Sequence, residues 1–136
     1  MEIRSIAEQK IRDKGMVLTK ARVDIFEYIL RKKNHPSCEE IYEDLKPKNK
    51  SLSIATVYNV TERLCQDELV IRLIAPNGDM HFDGTLEFHG HFYCRKCGRI
   101  FDFDYDMPDL TKTLPGFIAE QHEIKTVGIC SDCKDK

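Results

Sequence analysis

SIATVYNVTERLCQDELVIRLIAPNGDMHF, Ser53 to Phe82, passes from a helix pattern to a hairpin pattern with no linker between them. Ser53 can cap a helix from Ile54 to about Glu68, with Ile54, Val57, Thr61, Leu64 and Cys65 as its inward stripe. That stripe leaves Ala55, Thr56, Tyr58, Asn59, Glu62 and Arg63 facing away or flanking. Val70–Ile74 and Met80–Phe82 then read as two short strands, and Pro76-Asn77-Gly78-Asp79 between them is turn chemistry for a hairpin.

Three further helices lie upstream. Ile3, Ile6, Ala7 and Ile11 recur at helical spacing over residues 3–13, with Gly15 as breaker. Thr19 can cap a second helix with Val23, Phe26, Ile29 and Leu30 inward; Arg31 to Lys33 complement its C-terminal end, and Asn34-His35-Pro36 stops it. Ser37 followed by Glu40 is a capping box for a third helix, with Ile41 and Leu45 inward, and a lysine-rich loop, Lys46 to Lys50, follows. Helices closed by a hairpin in this order make a winged helix-turn-helix, a DNA-binding architecture whose second motif helix, Ser53 to Glu68, enters the major groove. On that helix Thr56, Tyr58, Asn59 and Arg63 can meet bases or phosphates, and Ala55 and Thr56 can touch thymine methyls. In isolation the same face reads as a charged, solvated helix surface.

The bulk numbers permit this and exclude other classes. The 136 residues are 41% hydrophobic and 32% charged with a formal charge of −2, an ordinary globular composition. Residues 1–82 carry 14 basic against 13 acidic side chains and residues 83–136 carry 7 against 10, so the second half is acidic and the basic groups of the first are local clusters. No apolar run approaches the roughly 18 residues of a membrane span, and MEIRSIAEQKIRDKG is a mixed-charge helix pattern, not a signal peptide. The expected location is cytoplasmic, where CxxC pairs point to metal more than to disulfides.

From Gly84 to Glu87 helix periodicity gives way to strand alternation, placing the expected boundary between residues 1–83 and 84–136. Phe88–Tyr93 and Ile100–Tyr105 alternate, Pro108–Leu114 reads as a short helix, and Phe117–Ile129 as a long strand. The fold class expected is α+β: a winged helix-turn-helix followed by a small α/β unit that needs a staple or a partner chain. Cys94-Arg-Lys-Cys97 and Cys130-Ser-Asp-Cys133 supply the staple, two thiolate pairs at equal spacing that complete a tetrahedral sulfur shell for Zn²⁺. A dithiol switch is the competing reading; it needs an exposed thiol of low pKa beside a helix N-terminus. Cys38 and Cys65 fall on or near apolar helix faces and read as small buried hydrophobes.

Asp83, His89, His91 and Asp102 are a second donor set. His89 and His91 are two apart and share one face of a strand, and an imidazole and carboxylate site is borderline-hard, suited to Fe²⁺ or Mn²⁺. Solvated polar residues on an acidic strand account for the same pattern equally well.

Thr19 and Arg22, His35-Pro36-Ser37 with Ile41-Tyr42, Ala55-Thr56-Val57-Tyr58, and the run Asp83, His89, His91, Cys94, Cys97, Asp102, Cys130, Cys133 together resemble the ferric uptake regulator family over nearly the whole chain, and within it most resemble the peroxide-responsive repressors. The resemblance implies a homodimeric repressor that binds double-stranded operator DNA, with one structural Zn²⁺ per chain on Cys94, Cys97, Cys130 and Cys133. It implies one regulatory Fe²⁺ or Mn²⁺ per chain on His35, Asp83, His89, His91 and Asp102, with His35 drawn from the first half so that the ion clamps one orientation of the halves. It marks Tyr58 most firmly among the DNA contacts and adds Thr19 and Arg22.

Two details favour a peroxide sensor over an iron- or manganese-uptake regulator. Asp102 stands where iron regulators more often carry glutamate, and Phe88 and Gly90 stand where they commonly place ligands of an additional site; His122 matches a member of that site but lacks its partners, although Asp109 is nearby. The implied sensing step oxidises His35 or His89 to 2-oxo-histidine. A metalloenzyme would need a general base and a substrate pocket beside the ion, and no extra group or anion loop marks one, so no enzyme is expected. A zinc-stapled protein-binding module with no DNA role is the remaining alternative.

Overall fold

The computed structural model describes residues 2–136. The chain forms two compact units, Met1–Leu86 and Glu87–Lys136.

The first unit holds α1 (Ile3–Asp13), α2 (Lys20–Arg31), α3 (Cys38–Leu45), a 3₁₀ turn (Lys46–Lys48), α4 (Ile54–Gln66) and the hairpin β1 (Ile71–Ile74) and β2 (Met80–Asp83). Thr19 Oγ1 accepts from the Arg22 amide, Ser37 and Glu40 form a complete capping box, and Ser53 accepts from the Thr56 amide. Each cap satisfies a donor that the first turn of a helix leaves open. The core is continuous from Ala7 and Ile11 through Phe26, Ile29, Ile41, Val57 and Leu64 to Phe82. Apart from Ala7, each of these fully buried side chains contributes about 1.5–3 kcal/mol. Antiparallel β1 and β2 pair Ile71 with Asp83 and Ile74 with Met80, and Gly78, at φ +90°, makes the turn.

Two details of α4 differ from expectation. Ile54 is 39% exposed and Val60 takes its place in the stripe of Val57, Val60, Thr61 and Leu64. Helical side chains lean toward the N-terminus, so a first-turn residue overhangs the turn that is packed. The helix ends at Gln66, because Glu68 adopts φ +60° in the left-handed region.

The second unit is a three-stranded sheet in the order β4-β3-β5, with β3 (Gly90–Cys94), β4 (Ile100–Phe103) and β5 (Ile124–Gly128). β3 pairs antiparallel with β4 and parallel with β5. The expected helix over Pro108–Leu114 is instead a run of turns: Asp109 Oδ1 accepts from the Thr111 amide, one bond joins the Leu114 amide to the Leu110 carbonyl, and the chain turns at Pro115-Gly116. Only Pro108 and Leu110 in it are even half-buried, and so short a segment has no packed face to offset helix nucleation. The long strand expected over Phe117–Ile129 shortens to β5, because β3 offers five residues and β5 uses all of them. Among the described residues the second unit therefore contains no helix, and the mixed α+β character of the chain comes from the four helices of the first unit and the two small sheets. Among the described residues no helix is long and apolar enough to cross a membrane.

Candidate metal centres

Cys94 ends β3, and Cys97 follows after a turn in which the Gly98 amide donates to the Cys94 carbonyl and Gly98 takes φ +77°. Cys130 and Cys133 lie in an equivalent turn just past β5, and the parallel pairing of Cys94 with Gly128 brings the two turns side by side. All four sulfurs lie within 4.8 Å of one another. Sulfurs held about 2.3 Å from a zinc at tetrahedral angles lie about 3.8 Å apart, and Cys97 Sγ to Cys130 Sγ is 3.8 Å.

The charges around the cluster fit the same ion. Amides of Cys97 and Cys130 each donate to Cys94 Sγ at 3.4 Å, and these two bonds hold the Cys94 thiol down to about 6. Arg99 Nε donates to Cys97 Sγ at 3.4 Å and lowers that thiol too, while Arg99 pairs with Asp132 at 2.7 Å. Cys133, facing the other sulfurs with Cys130 foremost, is pushed up to about 12. Four thiolates this close cannot all ionise without a cation among them. Cys94 has the low pKa of a redox thiol but is buried, and its donors are knuckle amides rather than a helix N-terminus, so the arrangement favours metal over a dithiol switch.

The nitrogen and oxygen donors form a pair in the first unit and a trio in the second. His35 is buried at φ +58°, a left-handed conformation that is costly for a non-glycine residue and concentrates at functional sites. β2 is tied to the His35-Pro36 segment twice: the Phe82 amide donates to the Pro36 carbonyl at 3.0 Å and His81 Nδ1–H to the His35 carbonyl at 2.9 Å. This brings Asp83 Oδ2 to 3.5 Å from His35 Nε2, while Asp83 Oδ1 accepts from the Thr85 amide.

In the second unit His91 of β3 lies directly opposite Asp102 of β4. One oxygen, Asp102 Oδ1, is 3.2 Å from His91 Nε2 and 3.3 Å from His89 Nε2. His89 precedes β3 rather than belonging to it, and its Nδ1 is 2.7 Å from the Glu87 carbonyl. A carbonyl only accepts, so Nδ1 carries a proton, and in the neutral form of the ring the Nε2 lone pair is the one that faces the carboxylate. In that form two electron pairs face each other at 3.3 Å, the arrangement a cation placed between them would convert into two bonds. Donors about 2.1 Å from an ion and at right angles lie about 3.0 Å apart, close to the observed separations. The donor sets are those of a structural zinc centre and of a regulatory iron or manganese centre. Sequence reading missed the groups that orient them: Glu87 and Thr85 act through the backbone, which leaves no signature in side-chain identity, and the Arg99 side chain reaches Cys97 only through the local turn.

The model of the ferric uptake regulator family matches residues 13–130. The chain belongs to the ferric uptake regulator family. It is 32% identical over 130 residues to the peroxide-responsive repressor PerR of Staphylococcus epidermidis, covering 93% of this chain and 87% of the relative. The solved PerR of Streptococcus pyogenes, described in terms of peroxide sensing and gene regulation, is 28% identical at a TM-score of 0.57, covering 98% of this chain and 95% of that one. A ferric uptake regulator from Helicobacter pylori, described as having three functional metal binding sites, superposes at a TM-score of 0.80 with 23% identity, over 100% of this chain and 96% of that one, which speaks to the fold alone. Members of the ferric uptake regulator family are metal-responsive transcriptional regulators, so the chain is a regulator and not an enzyme.

Within this ferric uptake regulator chain, α4 turns Ala55, Tyr58, Asn59, Glu62 and Arg63 to solvent, with Thr56 half-buried. Arg63 pairs with Asp67 at 2.9 Å, and Tyr58 Oη donates to Glu39 Oε1 at 2.5 Å. Thr19 is the cap of α2, and Arg22 donates to the Val17 carbonyl at 2.8 Å, so both organise the α1–α2 turn. Lys46 Nζ donates to the carbonyls of Lys50 and Leu52, closing its own loop, which leaves Lys48 and Lys50 as the exposed ammonium groups there. His122 packs edge-on against Phe88, and a side chain at Gly90 would collide with the Phe103 ring across the sheet.

Proposed function

We propose that the chain is a cytoplasmic, homodimeric, metal-dependent repressor that holds operator DNA while a regulatory Fe²⁺ or Mn²⁺ is bound and releases it when peroxide oxidises a liganding histidine. Residues 1–83 act as the DNA-binding domain, through Thr19, Arg22, Ala55, Thr56, Tyr58, Asn59 and Arg63, and residues 84–136 act in dimerisation and sensing. Cys94, Cys97, Cys130 and Cys133 hold one structural Zn²⁺. His35, Asp83, His89, His91 and Asp102 hold the regulatory ion.

The observation that carries this reading is Asp102 Oδ1 shared at 3.2 and 3.3 Å by two imidazoles, one of them fixed in the tautomer that ligates. An ion joining this trio to His35 and Asp83 ties the units in one arrangement, and if that arrangement is the one that fits DNA, ion and operator strengthen each other's binding.

Fe²⁺, when bound, would lend the first electron that opens the O–O bond of peroxide and regain it as the ring is oxidised. In net terms one peroxide oxygen replaces the C2 hydrogen of the His35 or His89 ring as a carbonyl, that hydrogen moves to nitrogen, and the second oxygen leaves as water. The oxidised ring is a poorer donor, so the clamp is lost. Relatives named PerR support sensing over uptake, as do Phe88 packed on His122 and Phe103 over Gly90, where an additional site would need donors.

The test is mass spectrometry of peroxide-treated protein. The Fe²⁺ form gains one oxygen mass on a peptide containing His35 or His89 and the Mn²⁺ form does not; an unmodified Fe²⁺ form that still binds DNA metal-dependently would instead identify an uptake regulator.

A further inference from the structure

Tyr58 stands at the middle of the exposed face of α4, 39% exposed, yet its hydroxyl is already engaged. The acceptor is Glu39, in the first turn of α3, nineteen residues earlier. The backbone there is held firmly. The Ser37–Glu40 capping box fixes the start of α3, and the neighbouring Cys38 is buried with its sulfur 3.5 Å from Thr61 Oγ1 on α4. Glu39 and Tyr58 thus bridge two helices whose contact is already fixed beneath them, at the rim of a cleft of about 430 Å³ that Met80 and His81 also line.

We propose that Glu39 is a positioning residue for operator recognition, gripping Tyr58 Oη so that the ring is presented to the groove in one rotamer. The proposal rests on the reading that α4 faces operator DNA. Held by its backbone at one end and its hydroxyl at the other, the tyrosine meets DNA already ordered, which removes the cost of immobilising it at the interface. The hydroxyl has one proton, and its bond to Glu39 Oε1 at 2.5 Å commits that proton to Glu39. What the ring offers the groove is then its apolar edge and face.

Electrostatics alone makes the opposite forecast. A carboxylate beside the DNA face repels phosphates, so a spectator Glu39 would weaken binding to every duplex, and its removal would strengthen it. The sign of the effect separates the two roles.

The experiment uses full-length, Mn²⁺-loaded protein and a duplex that the wild type selects from a random pool, with a scrambled duplex of equal length as reference. The readout is the ratio of the two affinities. Wild type and Glu39→Gln, whose amide oxygen still accepts from Tyr58, discriminate alike. Glu39→Ala loses about tenfold of the ratio; Tyr58→Phe falls with it, and the double variant falls no further than either. Glu39→Gln removes the same charge from the first turn of α3, so a fall seen only in Glu39→Ala is not a helix-stability effect. A Glu39→Ala variant whose ratio equals that of wild type, or which binds both duplexes more tightly, overturns the proposal. A wild type that selects no duplex brings down the regulator reading and the Glu39 assignment with it.

Discussion

Asp102 illustrates how a single side chain carries a site. Its Oδ1 faces two imidazole nitrogens at 3.2 and 3.3 Å, and the side chain is 40% exposed, within reach of solvent ions. Asp102→Asn keeps the shape and removes the anion, so the variant is expected to bind Mn²⁺ more than about tenfold more weakly by competition with a fluorescent chelator; unchanged affinity would place the ion elsewhere. Tyr58 gives a second residue-scale test. Glu39 raises its pKa to about 12, so Glu39→Ala is expected to show one more phenolate than wild type as pH passes the ordinary value of about 10, read by ultraviolet difference titration. The sequence shows that Tyr58 faces outward, but not that Glu39 holds it, since a contact nineteen residues apart between two helices follows no periodicity.

Elements behave as their caps and staples dictate. α3 is eight residues long and owes its start to Ser37, which accepts from the Glu40 amide while Glu40 returns the bond. Ser37→Ala is expected to destabilise the protein by about 1 kcal/mol in urea unfolding. The β4-β3-β5 sheet has only four- and five-residue strands and ends in the four-cysteine knot. Zinc removal by a strong chelator is therefore expected to melt these strands and leave α1–α4 folded, seen as loss of amide protection confined to residues 90–128; protection that survives chelation would show that the staple is dispensable. The helices of the first unit were legible because caps and stripes are local codes. The failed helix over Pro108–Leu114 and the shortened fifth strand were not, because their outcome depends on what β3 can pair with and on a nucleation cost that a seven-residue pattern does not reveal.

At the scale of the molecule, apolar surface is left where a partner chain is expected. Phe117 is 72% and Ile118 89% exposed, with Leu114 and Met107 also exposed nearby in sequence, and both outer strands of the second sheet have open edges. The proposed homodimer covers such a surface. Ile118→Asp is expected to shift the protein from dimer to monomer at micromolar concentration in sedimentation velocity, with its zinc retained; a dimer that persists would place the interface elsewhere.

The sequence by itself determined the order of helices and hairpin, the two CxxC pairs and the residue types of both donor sets, because each is written in spacing that the chain cannot alter. Only the tertiary structure decided which atoms meet: that β2 docks on His35 and Pro36 and so presents Asp83, that the cross-strand register of β3 and β4 puts Asp102 between two imidazoles, and that the Glu87 carbonyl selects the His89 tautomer. The physical reason is that periodicity fixes which face of an element a side chain occupies, whereas register, docking and backbone hydrogen bonds fix the last few ångströms, and a coordination site is defined at that distance.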